Sequence, residues 1–251
     1  MNQNIKMIIA YDGAPFFGWQ KVAGRPSVEE TLERILKVVL QERVTLQAAS
    51  RTDRGVHARG QVVNFFTEKP IDPFRLKGSL NSLLPAEIRV LDIEIARSGF
   101  HPTTDACGKE YRYQVDIGSL QLPFDTAYAF HFPYPIDLKL MQAAIPLIIG
   151  KRDFAAFTNA KEIREDTVRE LEEILIEQIT PQKLLFKIRG KSFLYKMVRN
   201  LVGTLLYVGT GKISLDELPQ IIASKERKSL GITAPAHGLF LEKVVYPILV
   251  S

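Results

Sequence analysis

The stretch SRTDRGVHARGQ, residues 50–61, places one carboxylate, Asp53, among three arginines, one histidine and two glycines. A turn requires the glycines and a solvated surface tolerates the charges, but neither requires a single acid among so many donors. If the chain before the acid is extended, Arg51 and Asp53 share a face, and Gly55 allows a sharp turn directly after it. The pattern fits either a salt-bridged strand end or a functional carboxylate.

Two other chemistries can be weighed on residue spacing. Asp53 and His57 could be metal ligands, but no third ligand lies nearby in the sequence, and Cys107 is the only cysteine. The sequence GTGK at 209–212 resembles a phosphate-binding loop, but the P-loop pattern requires a glycine at the position of Leu206. We therefore expect neither a metal site nor a P-loop.

The composition is that of an ordinary globular protein, with 251 residues of which 46% are hydrophobic and 24% charged. The longest apolar runs, such as 145–149 and 205–208, are far shorter than the roughly 20 residues that cross a bilayer. The first residues, MNQNIKMIIAYDG, are typical of a strand and a turn rather than of a signal peptide. We expect a soluble, cytoplasmic protein with one large core or two smaller ones.

The chain carries more Lys and Arg (33) than Asp and Glu (28), and its pI is near 9.2. A polyanion responds to a local patch of charge rather than to the average, so clustering matters more than the total. Four cations and no acid occur between Arg189 and Arg199, the middle two being Lys191 and Lys196. This cluster is either a solvated face or part of a nucleic-acid surface.

Hydrophobic periodicity and capping residues predict a mixture of strands and helices. Strands are expected at 5–10, 61–66, 88–95, 109–117 and 183–189, where apolar side chains alternate or form short runs. Helices are expected after three capping signals, Ser27 with Glu30, Asp137, and Ser214 with Glu217. Gly150 is expected to end the second of these helices.

A further helix is predicted over 193–208, where apolar residues form one broad stripe. On a helical wheel Tyr195, Arg199 and Gly203 lie along the edge of that stripe, at i, i+4 and i+8. A side chain at this edge can point into a cleft, so Arg199 is expected to be more than a surface charge.

The elements do not follow the strict alternation of strand and helix that is typical of nucleotide-binding folds, and we predict the α+β class. The sequence DACGK at 105–109 is a plausible joint. We therefore expect two halves, residues 1–105 and 106–251.

Together these residues resemble the TruA family of tRNA pseudouridine synthases. Blocks similar to the family's signatures occur in the family's order across essentially the whole chain, and the RTD-x-GVHA block is the most specific. They are YDGAPFFGWQ at 11–20, SRTDRGVHARGQVVNF at 50–65, KEYRYQV at 109–115, KSFLYKMVRNLVG at 191–203 and APAHGLFL at 234–241.

The resemblance implies that uridine in tRNA becomes pseudouridine by cleavage of the glycosidic bond, rotation of the base and rejoining through carbon, without cofactor or metal. Asp53 matches the nucleophilic acid of pseudouridine synthases, and breaking an N-glycosidic bond requires a carboxylate near the sugar and base. Arg199 matches an arginine that pairs with this acid and keeps it ionised and aimed. Tyr111 matches a tyrosine whose ring can stack on the target base and whose hydroxyl can assist a proton transfer.

The basic residues around Asp53 are candidate contacts to the RNA. Arg51, Arg54 and Arg59 can face phosphates, and Lys191 and Lys196 can extend that surface. A paired base has to swing out to be reached, so a side chain must fill the vacated space, and the candidates are Arg51, Arg54 and His57. Trp19 and Phe17 are expected to anchor the first turn to the core.

The resemblance also implies two ferredoxin-like halves whose strands form a central, mostly antiparallel sheet with helices on one side and an RNA-binding cleft. It implies a homodimer that acts on uridines 38, 39 and 40 of the tRNA anticodon stem-loop. The chain departs from the family pattern at Ser50 and Arg54, which flank the RTD motif, and at Pro102 and Thr103. These departures alter the rim of the site, not the nucleophile.

Two other functions remain open at this point. The chain could be an RNA-binding or tRNA-folding protein on the same scaffold without activity, although a pure binder needs no isolated acid. A phosphodiesterase would require clusters of metal ligands that the sequence does not contain.

Overall fold

The computed structural model describes residues 2–159 and 166–247. The chain divides into two compact units, of which unit 1 comprises the described residues 2–107 and 240–247, and unit 2 is Gly108–Leu239. The boundary falls close to the expected joint at residue 105. The expected second half, 106–251, differs from unit 2 because the chain returns to unit 1 at Phe240.

Unit 1 is an α+β unit built on antiparallel strands. Its elements are β1 (Gln3–Tyr11), α1 (Val28–Leu40), β2 (Gln47–Ala48), β3 (His57–Thr67), α2 (Pro73–Leu83) and β4 (Ile88–Ala96). β1 lies between β4 and β3 and is antiparallel to both, and β2 also pairs antiparallel with β3.

Unit 2 has the same mixed composition. Its elements are β5 (Gly108–Asp116), β6 (Phe130–His131), α3 (Leu138–Ile148), β7 (Gly150–Asp153), β8 (Val168–Thr180), β9 (Lys183–Gly190), α4 (Met197–Gly209) and α5 (Leu218–Ala223). The strand order is β5-β9-β8-β7 with antiparallel neighbours, and β6 pairs in parallel with β5. The two units confirm the predicted α+β class.

A last strand, β10 (Leu239–Val245), explains why the chain returns to unit 1. Phe240 and Leu241 pair in parallel with His57 and Ala58 at the beginning of β3. This pairing gives backbone groups at the start of β3 a partner and adds β10 to the strands of unit 1.

Two of the three capping signals place their helices as predicted. The Ser27 hydroxyl accepts a hydrogen bond from the Glu30 amide (3.2 Å) at the start of α1, whose apolar stripe is buried. The Asp137 carboxylate accepts from the amides of Lys139 and Leu140 at the start of α3. These side chains satisfy amides that have no partner within the helix.

Two predicted helix starts are displaced. The helix predicted from residue 193 begins at Met197, because Lys196 adopts a left-handed conformation (φ 59°) that a helix cannot include. Tyr195 therefore does not lie on α4, while Arg199 and Gly203 do. Ser214 and Glu217 form the predicted capping box, but regular helix begins only at Leu218.

Within the described part of the chain, no helix is long and apolar enough to cross a membrane.

Candidate active site

The loop that carries Asp53 is a tight turn in unit 1. The Val56 amide donates to the Asp53 carbonyl (3.1 Å), and Gly55 has a φ of 77°, a left-handed conformation that glycine adopts without steric cost. The sharp turn expected directly after the acid is thereby confirmed. Asp53 itself is half-buried.

Buried side chains of the sheet hold this loop by hydrogen bonds. The Gln61 amide bonds both main-chain groups of Ser50: its Nε2 donates to the Ser50 carbonyl (2.6 Å), and its Oε1 accepts from the Ser50 amide (3.2 Å). The Tyr11 hydroxyl shares a hydrogen bond with Thr52 Oγ1 (2.7 Å). Two positions in the three residues before Asp53 are therefore fixed by side chains of β3 and β1.

The segment 13–19, which follows β1, packs against both ends of the same loop. A Cβ on Gly18 would lie 2.7 Å from the Thr52 carbonyl oxygen, and one on Gly13 would lie 2.1 Å from the Val56 carbonyl oxygen. The Trp19 amide also donates to the Thr52 carbonyl (3.0 Å). These two glycines let one backbone lie directly against the other, so the first sequence block is a support for the Asp53 loop.

His57 has a different position from the one expected for an RNA contact. Its side chain is buried at 1% exposure and stacks on Phe240, with ring centroids 4.6 Å apart. Nδ1 lies 3.1 Å from the Gly13 amide nitrogen and 3.0 Å from Asp12 Oδ1. When Nδ1 carries no proton it accepts a hydrogen bond from the Gly13 amide, and when it carries one it donates to Asp12. In either state His57 ties the Asp12–Gly13 turn to the start of β3, and its burial removes it from the surface that could meet RNA.

The three arginines of the loop are all exposed. Arg54 lies over the ring of Phe17, with Cζ 4.1 Å from the ring centroid. Arg59 lies over the ring of Phe240, with Cζ 5.1 Å from the centroid, and its Nε is 3.9 Å from Glu242 Oε2. Phe17 is only half-buried, unlike Trp19, whose 2% exposure confirms the expected anchor. The structure therefore leaves Arg51, Arg54 and Arg59 at the surface around Asp53.

Tyr111 is held rigidly in unit 2. It lies on β5 opposite Ile188 of β9, and its ring meets the ring of Phe193 edge to face, with centroids 5.0 Å apart. This geometry is a favourable one for two aromatic rings and fixes the plane of the tyrosine.

Arg199 is half-buried near the start of α4 and is tied to the segment that follows Thr233. Its Nε donates to the Ala234 carbonyl (2.7 Å), and its own carbonyl accepts from the Ala234 amide (3.2 Å). Tyr113 donates its hydroxyl to the next carbonyl, that of Pro235 (2.7 Å). Burial raises the pKa of the Tyr113 phenol far above its usual range, and the positive charge of Arg199 offsets this only in part, so the hydroxyl stays a donor.

A partly buried polar network continues from this segment into the helix. Thr233 donates to Asn200 Oδ1 (2.7 Å) and accepts from Arg227 Nη2 (2.8 Å). Asn200 in turn donates to the Phe157 carbonyl (2.6 Å) and to Asn159 Oδ1 (2.8 Å). Since Asn200 follows Arg199 directly, this network fixes the turn of α4 that carries the arginine.

A glycine contact brings the helix and this segment together. A Cβ on Gly203 would lie 1.7 Å from the Ile232 carbonyl oxygen, and one on Gly231 would lie 2.2 Å from the Gly203 carbonyl oxygen. Only glycine allows two backbones this close, so Gly203 has a packing role one turn after Arg199.

The basic loop between β9 and α4 carries the other expected RNA contacts. Lys191 is exposed, and Lys196 places its Nζ 4.9 Å from the centroid of Tyr195, a ring that is itself 51% exposed. Exposed aromatic rings beside cations are typical of nucleic-acid surfaces.

Lys109 is a residue that sequence reasoning did not single out. It lies two positions before Tyr111 on β5, so the two side chains share a face of the strand. Burial lowers the pKa of Lys109 to about 8. Its position in the KEYRY block was the only signal that could have identified it.

No three His, Cys, Asp or Glu side chains of the described residues are close enough together to hold a metal ion.

Comparison with known proteins adds independent findings. A family model described as tRNA pseudouridine synthase matches residues 7–101 and 144–247. The chain is 50% identical to tRNA pseudouridine synthase A 2 of Protochlamydia amoebophila, over 97% of this chain and 94% of the relative. It is 41% identical to tRNA pseudouridine synthase A of Acetivibrio thermocellus, over 97% of this chain and all of the relative.

Solved structures are more distant. One, titled as an H/ACA RNP bound to a substrate RNA containing 2′-deoxyuridine, shares 17% identity over 77% of this chain and 44% of its own, with a TM-score of 0.37. A likeness this weak carries no argument, whereas the family match and the two relatives span nearly the whole chain. The chain therefore belongs to the tRNA pseudouridine synthase family, whose members are isomerases that make pseudouridine in tRNA.

Proposed function

We propose that this protein converts uridines 38, 39 and 40 in the tRNA anticodon stem-loop to pseudouridine, with Asp53 as the nucleophile. The observation that carries the proposal is the support given to the Asp53 loop. The buried side chains Gln61 and Tyr11 fix the loop by hydrogen bonds, and the segment 13–19 packs against it. Such support preorganises a group whose position matters to a reaction.

The chemistry needs one carboxylate and no external reagent. The bond from N1 of the base to C1′ of the ribose breaks, the base turns, and a bond from C5 to C1′ forms. C5 loses a proton and N1 gains one, so atoms and charge balance within the nucleotide. Asp53 stabilises the separated fragments by bonding either to the sugar or to the base, as carboxylates do in glycosidic cleavage.

Arg199 and Tyr111 complete the proposed catalytic set. Because Nε of Arg199 is bonded to Ala234, the direction of the guanidinium is set, and its terminal nitrogens are the groups that we propose pair with the Asp53 carboxylate. Tyr111, held edge-on by Phe193, would present its ring to the turning base and its hydroxyl to a proton in transit.

Exposed cations of both units would bind the tRNA backbone. Arg51, Arg54 and Arg59 are exposed around Asp53 in unit 1. In unit 2, Lys191 is exposed in the loop before α4, and Lys196 lies beside the exposed Tyr195. Contacts to phosphates supply most of the affinity of such surfaces. Because Arg54 is held on the ring of Phe17, Arg51 would fill the space that the extruded uridine leaves. We further propose that the protein acts as a homodimer in the cytoplasm.

One experiment tests reaction, substrate and nucleophile together. An unmodified tRNA transcript with uridines at 38, 39 and 40 is incubated with the native protein or with Asp53→Asn, without added metal, and pseudouridine is mapped by position. We expect product in the stem-loop with the native protein alone. Tight binding without product would favour an inactive RNA-binding protein, product at other positions would reassign the target, and substantial product with Asp53→Asn would overturn the role of Asp53.

A further inference from the structure

Two arginines share one aromatic ring at the surface of unit 1. The Cζ of Arg54 lies 4.1 Å from the centroid of Phe17, and the Cζ of Arg25 lies 4.6 Å from the same centroid. Both arginine side chains are exposed. We refer to Arg25, Phe17 and Arg54 as the arginine–phenylalanine stack.

The backbone fixes this stack beside the catalytic loop. The Phe17 amide donates to the Pro26 carbonyl (2.8 Å), which joins the ring to the segment that carries Arg25. On the other side, Gly18 lies against the backbone of residues 52–54, so Phe17 is held next to Arg54. Since Arg54 directly follows Asp53, the stack adjoins the proposed nucleophile in the chain.

No ion pair in the described part of the chain neutralises the charge of the stack. Among residues 2–159 and 166–247, no carboxylate oxygen lies within 4.0 Å of the guanidinium nitrogens of Arg25 or Arg54. Two cations held at one ring repel each other, and this repulsion is relieved when an anion binds between or beside them.

The stacking also suits a particular kind of anion. A guanidinium that lies over a ring uses its flat face for that contact and keeps its N–H groups directed along its edges. These edges can form paired hydrogen bonds with the oxygens of a phosphate. The ring restricts the motion of both side chains, so less entropy is lost when the anion binds.

We propose that Arg25 and Arg54, supported by Phe17, bind the phosphodiester backbone of tRNA at a nucleotide adjacent to the reacting uridine. This rests on the proposed function of Asp53. It extends the contact surface to Arg25 and Phe17, neither of which the sequence pattern identified as a ligand of RNA.

The test measures binding of an unmodified tRNA transcript to Arg25→Gln, Arg54→Gln and Phe17→Leu as the salt concentration is varied. Each arginine variant should weaken binding about five- to tenfold and lower the slope of log Kd against log salt by about one. Phe17→Leu keeps both charges, so it should weaken binding by a smaller factor and leave the slope unchanged. Lys37→Gln, which removes an exposed charge from the last turn of α1, is the matched control and should change neither quantity.

Unchanged affinity and slope in both arginine variants would overturn the proposal, as would an equal effect of Lys37→Gln. Thermal unfolding checks that each variant is folded. We expect the two arginine variants to be folded because both arginines are exposed. Pseudouridine formation is assayed separately with native protein in excess. If native protein forms no product while the arginine variants lose affinity, the RNA contact stands and the reaction falls; if product forms and affinity is unchanged, the contact falls alone.

Discussion

The side chain of Gln61 bonds both main-chain polar groups of Ser50, donating to its carbonyl at 2.6 Å and accepting from its amide at 3.2 Å. The glutamine is fully buried on β3, and it bonds Ser50 as a neighbouring strand would. The loop that carries Asp53 is thus fixed to the sheet three residues before the acid.

Gln61→Leu tests whether this bond positions Asp53. Leucine fills a similar volume but leaves both groups of Ser50 without their partner, so we expect a loss of about 2 to 4 kcal/mol in the free energy of unfolding. We also expect kcat to fall at least tenfold with little change in KM, because the loop loses its position rather than its contacts to tRNA. Urea unfolding and steady-state kinetics measure the two effects.

Gln142→Leu is the control for that variant, because Gln142 is exposed on α3. It should leave both stability and kcat nearly unchanged. Gln61→Glu keeps an acceptor for the Ser50 amide but turns a second oxygen toward the Ser50 carbonyl, so it should not restore kcat. A folded Gln61→Leu protein with native kcat would show that the loop holds its shape without this glutamine.

Gly203→Ala tests the close approach between α4 and residues 231–232. The added methyl group would lie 1.7 Å from the Ile232 carbonyl oxygen, so the helix has to shift, and Arg199 lies one turn earlier on it. We expect a loss of about 1 to 3 kcal/mol in stability and a fall in kcat. Gly78→Ala is the matched control, because Gly78 lies on α2 with open space around it, and it should stabilise the protein by about 0.5 to 1 kcal/mol. Equal stability of the two variants would refute the packing role of Gly203.

Thr233→Val tests the polar network behind Arg199. Valine keeps the shape of threonine but removes the hydroxyl that donates to Asn200 and accepts from Arg227. We expect a loss of about 1 to 3 kcal/mol in stability, a fall in kcat, and recovery of both in Thr233→Ser. Thr126→Val, at an exposed turn, should have neither effect. Failure of Thr233→Ser to restore kcat would assign the loss to packing instead of the hydroxyl.

The lowered pKa of Lys109 predicts that the free energy of unfolding depends on pH. Burial lowers its pKa from 10.5 to about 8, so below pH 8 the amine is charged in both the folded and the unfolded chain and the full cost of burying the charge is present. Between pH 8 and 10.5 the unfolded chain binds more protons, and stability rises with pH by up to about 3 kcal/mol.

Urea unfolding of Lys109→Met at pH 7 and at pH 10 measures this contribution. The difference in unfolding free energy between the native protein and the variant should move in favour of the native protein as the pH rises. Lys151→Met, which removes an exposed lysine on β7, should follow the native protein at both pH values. A constant difference for Lys109→Met would contradict the lowered pKa.

Elements with local signals could be predicted from the sequence. Ser27 and Asp137 cap α1 and α3 as expected, because a capping side chain acts on amides two or three residues away. β8 was not predicted, since its Glu-rich sequence VRELEEILIEQIT has the composition of a helix. Its buried Leu171 and Ile174 lie three residues apart because the pairing with β9 shifts register between Leu171 and Glu173, which breaks the alternation of a regular strand.

In the candidate site, too, residues in local sequence patterns could be predicted and residues that depend on distant contacts could not. Asp53, Tyr111 and Arg199 were singled out as candidates because they lie in short blocks of sequence, whereas the residues that hold them were not. Gln61 supports Ser50 across 11 positions, and Thr233 supports Asn200 across 33, so no local pattern reveals either pair. Gly18 lies within the first sequence block, but its contact with the Asp53 loop depends on the folded backbone.

The parallel pairing of Phe240 and Leu241 with the start of β3 bears on how the protein is made. The other strands of unit 1 emerge from the ribosome early, yet the partner of His57 and Ala58 is synthesised only after all of unit 2. Until then β2 covers this edge of β3 only at Val63 and Asn64, and the edge at His57 and Ala58 is open to pairing with other chains. A polypeptide that stops short of Phe240 lacks the ring on which His57 stacks, so completion of the loop's support depends on synthesis of the chain through Phe240.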